Sequence, residues 1–204
     1  MARVPRLVVM ISVSGSNLQA LINAIQDCTL NAEIVLVVYN RQTAYGLERA
    51  SQAGIETLYF PLKPYSIAGE SRQDYDADLA AKVKEYDPDL IVLAGWIHVP
   101  SPAFLDQFPG QVINLRPALP GQFDGVGGIE RAFKAYQAGE IVHTACMAHY
   151  AVPEVDAGPV VAQTIVPFIE GESLDDFEMR INAAEHRLIV EATQRALIAD
   201  QSSG

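Results

Sequence analysis

With 204 residues, 50% of them hydrophobic and 19% charged, the chain can bury one full core and needs no second domain, so residues 1–204 are expected to form a single unit. The formal net charge of −11, from 14 Lys and Arg against 25 Asp and Glu, argues against general binding to a nucleic-acid backbone, which demands a basic face. It leaves room for one small phosphate, because backbone N–H groups at a helix start can hold an anion without side-chain charge. No apolar run approaches the roughly 18–20 residues that span a bilayer, and the start of the chain is too short and poorly flanked for a secretory signal, so no membrane is expected. Cys28 and Cys146 are the only cysteines, too few for a disulfide scaffold and without metal-ligand spacing, which points to a reducing cytoplasm and no metal.

Short apolar runs alternate with helical patterns through the first half, the mark of βαβ units around a largely parallel sheet. Leu7 to Val13 reads as a strand, Asn17 to Asp27 as a helix, Glu33 to Val38 as a strand, Ala44 to Ala53 as a helix and Thr57 to Phe60 as a strand. Asp74 to Tyr86 is a helix stopped by Pro88, and Leu90 to Ala94 a buried strand. Val112 to Leu115 is another strand, and Ile129 to Ala138 a helix ended by Gly139. Thr144 to Val152 and Val160 to Pro167 are two longer strands joined by so few residues that antiparallel pairing is expected. A long helix from Leu174 to about Ala199, with Ser173 as its cap, closes the chain before a loose tail over the last residues, 200–204.

Three segments carry chemistry. Ser12-Val13-Ser14-Gly15-Ser16-Asn17 joins the first strand to the first helix, at the carboxyl end where backbone amides and the helix dipole favour an anion. Only Gly15 is a glycine there, so a dinucleotide fingerprint is missing. The apolar strand end Leu93-Ala94-Gly95 runs into Trp96-Ile97-His98-Val99-Pro100, a wall suited to a flat heteroaromatic ligand. Asn114-Leu115-Arg116-Pro117, followed by Asp156-Ala157-Gly158-Pro159, offers an oxyanion donor, a cation and a carboxylate that can orient water.

These segments, with Met147-Ala148-His149-Tyr150 and Glu185-His186, resemble the signature of the phosphoribosylglycinamide formyltransferase family from about residue 6 to 197. The resemblance implies an α/β, Rossmann-like formyltransferase fold: a mostly parallel twisted sheet with an antiparallel C-terminal part and helices on both faces. It implies formyl transfer from 10-formyltetrahydrofolate, as cosubstrate, to the amine of glycinamide ribonucleotide in purine biosynthesis. By the same resemblance Asn114, Arg116 and Asp156 are the catalytic positions; Gly15, Ser16 and Asn17 hold the substrate phosphate; and Glu185 contacts its sugar. Arg72, Ile97, His98, Val99, Pro100 and Ala151 line the folate site. Partners are small-molecule substrates, with a monomer or homodimer expected.

The family reads Asn-x-His-Pro where this chain has Arg116, whose guanidinium supplies charge but, staying protonated in proteins, cannot shuttle a proton. Val13 stands where the family usually has Gly, Ile97 and Pro100 replace Met and Leu, Gly127 replaces His, Asn182 stands where His is frequent, and Ala148 and Ala151 replace larger apolar residues. Impaired native transfer follows as an expectation, with a repurposed or engineered scaffold whose remodelled pocket takes a different small molecule as the alternative. His149 and His186 are expected to be structural rather than metal ligands.

Overall fold

Leu7 to Ile11 are all buried, with Leu7, Val9 and Ile11 in one apolar cluster and Val8 and Met10 in another. Successive strand residues point to opposite faces, so an uninterrupted apolar run is what a central strand needs when helices cover both sides. The computed structural model, which describes residues 3–42, 45–118, 122–123, 127–154 and 157–201, places this run in the interior of its sheet, with a parallel strand on each side.

The elements in chain order are β1 (Arg6–Ile11), α1 (Ser16–Gln26), β2 (Glu33–Tyr39), α2 (Gly46–Gln52), β3 (Thr57–Tyr59), α3 (Lys63–Ala68) and α4 (Arg72–Lys84). They continue as β4 (Leu90–Leu93), α5 (Pro102–Leu105), β5 (Val112–Arg116), α6 (Gly128–Gln137), β6 (His143–Tyr150), β7 (Val160–Pro167) and α7 (Leu174–Gln201). Among the described residues the sheet has seven strands in the order β3-β2-β1-β4-β5-β6-β7. β1 to β5 are parallel, and β6 runs antiparallel to both β5 and β7. This is the mixed sheet that the strand pattern implies and the Rossmann-like fold that the family resemblance implies.

The two faces divide the helices. α1 and α7 bury Leu18, Leu21, Phe177, Ile181 and Leu188 against the Leu7, Val9 and Ile11 face. α4 and α5 bury Tyr75, Leu79, Val83 and Phe104 against the other. At about 1.5–3 kcal/mol for each large apolar side chain removed from water, these two layers dominate the stability of the fold.

The boundaries differ from the sequence reading where caps or packing decide them. α4 begins two residues before Asp74, because Ser71 Oγ accepts from the Asp74 N–H (3.2 Å) while the Asp74 carboxylate accepts from the Ser71 N–H (2.8 Å). That carboxyl group is held below its usual pKa by the bonds from Ser71. α1 starts at Ser16, one residue before the expected Asn17, and its N-cap is Gly15 in the left-handed region with no side-chain cap. α3 and α5 are additional short helices, each with a proline in its first turn. Ser173 does cap α7, its Oγ accepting from the Asp176 N–H at 3.1 Å. α7 continues through Gln201, so residues 200 and 201 belong to the helix and not to a loose tail; residues 202–204 lie outside the described residues.

Candidate functional site

β1 and β4 are neighbours, yet the chain leaves β1 toward β2 on one side and returns to β4 on the other. A crevice opens between the loops after such a pair of strands. Here the two loops are tied together: the Ser12 N–H donates to the Gly95 carbonyl (3.2 Å), and Ser12 Oγ accepts from the Ile97 N–H (3.0 Å). Ser12 is fully buried, so this tie fixes the spacing between the Gly15 turn and the Trp96 to Pro100 wall.

On the α1 side, Gly15 has φ +67° and packs on Gly46 so closely that a Cβ on Gly15 would lie 2.6 Å from the Gly46 Cα. A Cβ on Gly46 would in turn collide with the Ile11 side chain. Two glycines in contact bring the start of α2 against the turn, and the Gly46 N–H donates to the Val13 carbonyl (3.4 Å). The first intrahelical bond of α1 runs from the Gln19 N–H to the Gly15 carbonyl (3.0 Å), which leaves the amides before it without intrahelical partners and able to face an anion. Val13, at 49% exposure, stands at the mouth of this turn.

Glu185, from α7, reaches the same place. It is buried and hydrogen-bonded to Asn17, and burial raises its carboxyl pKa to about 7 despite that bond. Its charge also adds to the burial that pushes the Cys146 thiol far above its usual range, so Cys146 is an inert core residue. The Gly15 turn, Ser16, Asn17 and a polar carboxyl thus meet at one end of α1. Arg49 escaped the sequence reading: its Nε donates to the Ser14 carbonyl (3.1 Å), and another guanidinium nitrogen donates to Gln19 Oε1 (3.1 Å). Holding the Ser14 carbonyl toward α2 turns the N–H of the same peptide the other way.

On the opposite face, Trp96, Ile97, His98, Val99, Pro100, Asn114, His149, Ala151 and Val152 line a cavity of about 80 Å³. Whole ligand sites run from about 300 Å³ upward, so this is space for the inner end of a ligand. Five predicted residues of the flat-ligand wall therefore surround predicted Asn114. Arg72, the sixth, does not line the cavity but holds its wall: it donates to the Val99 carbonyl (2.8 Å) and to Asp76 (3.0 Å), and Asp76 accepts from the Ser101 N–H (2.8 Å). Asp76 is buried, and nothing in its sequence context distinguished it from a solvated helix carboxylate. His98 packs edge-on against Trp96 (5.7 Å) and Tyr75 (6.1 Å), and its pKa is lowered by burial and by Arg72, so it is neutral at pH 7.

Asn114 and Arg116 alternate along β5 with Ile113 and Leu115, which belong to the α1/α7 core, so the polar pair faces the other side. Asn114 lies opposite His149 on β6, and its Nδ2 is 3.3 Å from His149 Nε2. Arg116 is buried, donating to the Gln122 carbonyl at 2.8 Å. Asp156, predicted as the third member, lies outside the described residues. Beside it, Gly158 passes so near Tyr150 that a Cβ would overlap the Tyr150 carbonyl oxygen, which accounts for glycine in Asp-Ala-Gly-Pro.

Not every departure noted in the sequence opens onto the cleft. Ala148 is a core residue of the α1/α7 face, Asn182 is exposed on α7, and Gly127 is the left-handed cap of α6. Ile97, Pro100 and Ala151 are the departures that line the cavity. His143 is exposed, and among the described residues no group of three or more His, Cys, Asp or Glu is placed to hold a metal.

A doubly wound sheet with an anion-ready turn beside an Asn-bearing cavity matches a known class: the chain belongs to the formyl transferase family, whose profile spans residues 5–193. Within it the similarity is to phosphoribosylglycinamide formyltransferases. That of Schizosaccharomyces pombe is 45% identical over 203 residues, covering 95% of this chain and 98% of that protein. That of Escherichia coli is 36% identical over 182 residues, covering 89% and 82%. The crystal structure of glycinamide ribonucleotide transformylase 1 from Symbiobacterium toebii superposes with a TM-score of 0.86 at 34% identity, over 95% of this chain and 88% of that one.

Proposed function

We propose that this chain transfers the formyl group of 10-formyltetrahydrofolate to the amine of glycinamide ribonucleotide, in purine biosynthesis. The family match supports the reaction class. The observation that carries the substrate assignment is the Ser12 tie, which sets an anion cradle with Glu185 directly beside an aromatic-walled cavity containing Asn114. A ribonucleotide and a pteridine need that juxtaposition to meet at one carbon.

In this reading Gly15, Ser16 and Asn17 hold the phosphate, Glu185 the ribose, and Ile97, His98, Val99, Pro100 and Ala151 the folate, with Arg72 bracing their loop. The amine attacks the formyl carbon, the carbon–nitrogen bond forms, and the oxygen becomes an oxyanion that Asn114 stabilises by donating from Nδ2. The attacking nitrogen loses a proton, the oxyanion collapses to a carbonyl as the bond from the formyl carbon to the folate nitrogen breaks, and that leaving nitrogen gains a proton. Asp156 orients the water that relays it. Arg116 stabilises charge but does not move the proton, so turnover is slower than with histidine at this position. No nucleophilic Ser or Cys is required, and Cys146 is too buried and too basic to serve.

Titrating the protein with a folate analogue, glycinamide ribonucleotide and NAD tests the reading. Binding of the first two with no response to NAD is expected. Failure of both to bind would remove the assignment and favour a scaffold turned to another small molecule.

A further inference from the structure

We propose that His149 is a positioning residue that fixes the donor end of the Asn114 carboxamide toward the reacting oxygen. The inference rests on the reading of Asn114 as oxyanion donor and extends it to a residue on a different strand.

An asparagine side chain has two similar ends, one donating and one accepting, and only the Nδ2 end can stabilise an oxyanion. What surrounds it decides which end faces the substrate. His149 stands directly opposite Asn114 in the antiparallel β5/β6 pair and is 2% exposed. Its Nδ1 lies 2.9 Å from the Tyr150 carbonyl oxygen. A carbonyl can only accept, so Nδ1 carries the hydrogen, and in the neutral ring Nε2 presents a bare lone pair. That lone pair, 3.3 Å from the carboxamide, accepts one hydrogen of Asn114 Nδ2 and would repel Oδ1. The second Nδ2 hydrogen stays available on the side of the cavity that both residues line.

The order of control is therefore Tyr150 carbonyl, His149 tautomer, Asn114 orientation. The first step is set by a carbonyl, which can only accept, and the later two follow from the Nδ1-protonated tautomer that it selects. Gly158 extends the chain of constraint, since its missing Cβ is what lets the following strand lie against the Tyr150 carbonyl without displacing it.

Two measurements test this on the full chain. Nitrogen-15 NMR of the histidine rings reads the tautomer without any turnover: a protonated Nδ1 and bare Nε2 for His149 are expected at neutral pH, and a hydrogen on Nε2 overturns the proposal. The second compares His149→Phe, which keeps the ring shape without an acceptor, with His149→Gln, whose carboxamide oxygen can accept from Asn114. Loss of one oxyanion donor costs about 10²–10³ in kcat, so misorientation in the Phe variant is expected to lower kcat by about ten- to a hundredfold with both KM values within about twofold. The Gln variant should recover most of that rate, and its Asn114 side-chain amide signals should lie nearer the parent's than those of the Phe variant. Equal kcat in the two variants, or a loss confined to KM, overturns the proposal, since packing alone would affect both in the same way. A parent chain that transfers no formyl group would refute the proposed reaction, while the tautomer and amide signals still decide the positioning.

Discussion

Gly15→Ala tests the anion cradle where the backbone is most constrained. Alanine at φ +67° adopts a left-handed conformation that costs about 1–2 kcal/mol relative to glycine. Its methyl group would lie 2.6 Å from the Gly46 Cα, a backbone atom, and must retreat by about 0.8 Å to reach ordinary contact. Gly46 cannot yield freely because it is wedged against Ile11. Forcing a methyl group into such a junction costs about 1–3 kcal/mol, so the variant is expected to lose about 2–5 kcal/mol in total, a large share of the 5–15 kcal/mol typical of a folded domain. Urea unfolding followed through the fluorescence of Trp96, the sole tryptophan, reads the loss. At about 2–3 kcal/mol per molar urea, the midpoint should fall by about 1–2 M. Phosphate-dependent binding of glycinamide ribonucleotide should weaken in the same variant, because separating α2 from the turn redirects the amides. A midpoint within about 0.2 M of the parent's, with ribonucleotide binding intact, would show that the turn relaxes at no cost and that its amides are not the binding device.

Arg116→His should raise the rate of formyl transfer at saturating substrates by up to the 10²–10⁴ that general acid–base assistance commonly supplies, about tenfold being the least that supports the mechanism; a parent already working as fast as the variant refutes it. Glu185→Gln should change the pH dependence of stability. The Glu185 carboxyl titrates at about 7 in the fold against an ordinary 4.5, so the folded state holds its proton more tightly, and stability is lost as pH rises from 4.5 through 7. The Gln variant lacks that loss and should gain about 3 kcal/mol on the parent between pH 4 and pH 8 in urea titrations, whereas parallel curves would refute the buried carboxyl. Asp76→Asn leaves one oxygen to serve both Arg72 and the Ser101 N–H, which should cost about 1.5–3 kcal/mol and weaken folate-analogue binding about tenfold, with ribonucleotide binding unchanged. Equal weakening of both ligands would place the effect outside the Trp96 loop.

The pattern of the chain determined the strands, since a short, β-branched apolar run such as Val8 to Ile11 followed by a Ser/Gly turn suits a strand covered on both faces, and the short link before Val160 suits an antiparallel return. The loops Ser12 to Asn17 and Trp96 to Pro100 were legible too, because each follows the carboxyl end of a strand, where ligands meet an open sheet. Sequence did not reveal Arg49, Gly46, Asp76 or the pairing of His149 with Asn114. These depend on which elements become neighbours after the crossover from β1 to β4 and on the register of β5 against β6, and local propensity does not encode long-range register. The same limit explains Ala148 and Asn182: a substitution noted along the chain carries no sign of the face it will occupy. Tertiary packing alone made Glu185 a buried carboxyl beside α1 rather than a solvated one, because α7 reaches the Gly15 turn only once both helices have closed over the same side of the sheet.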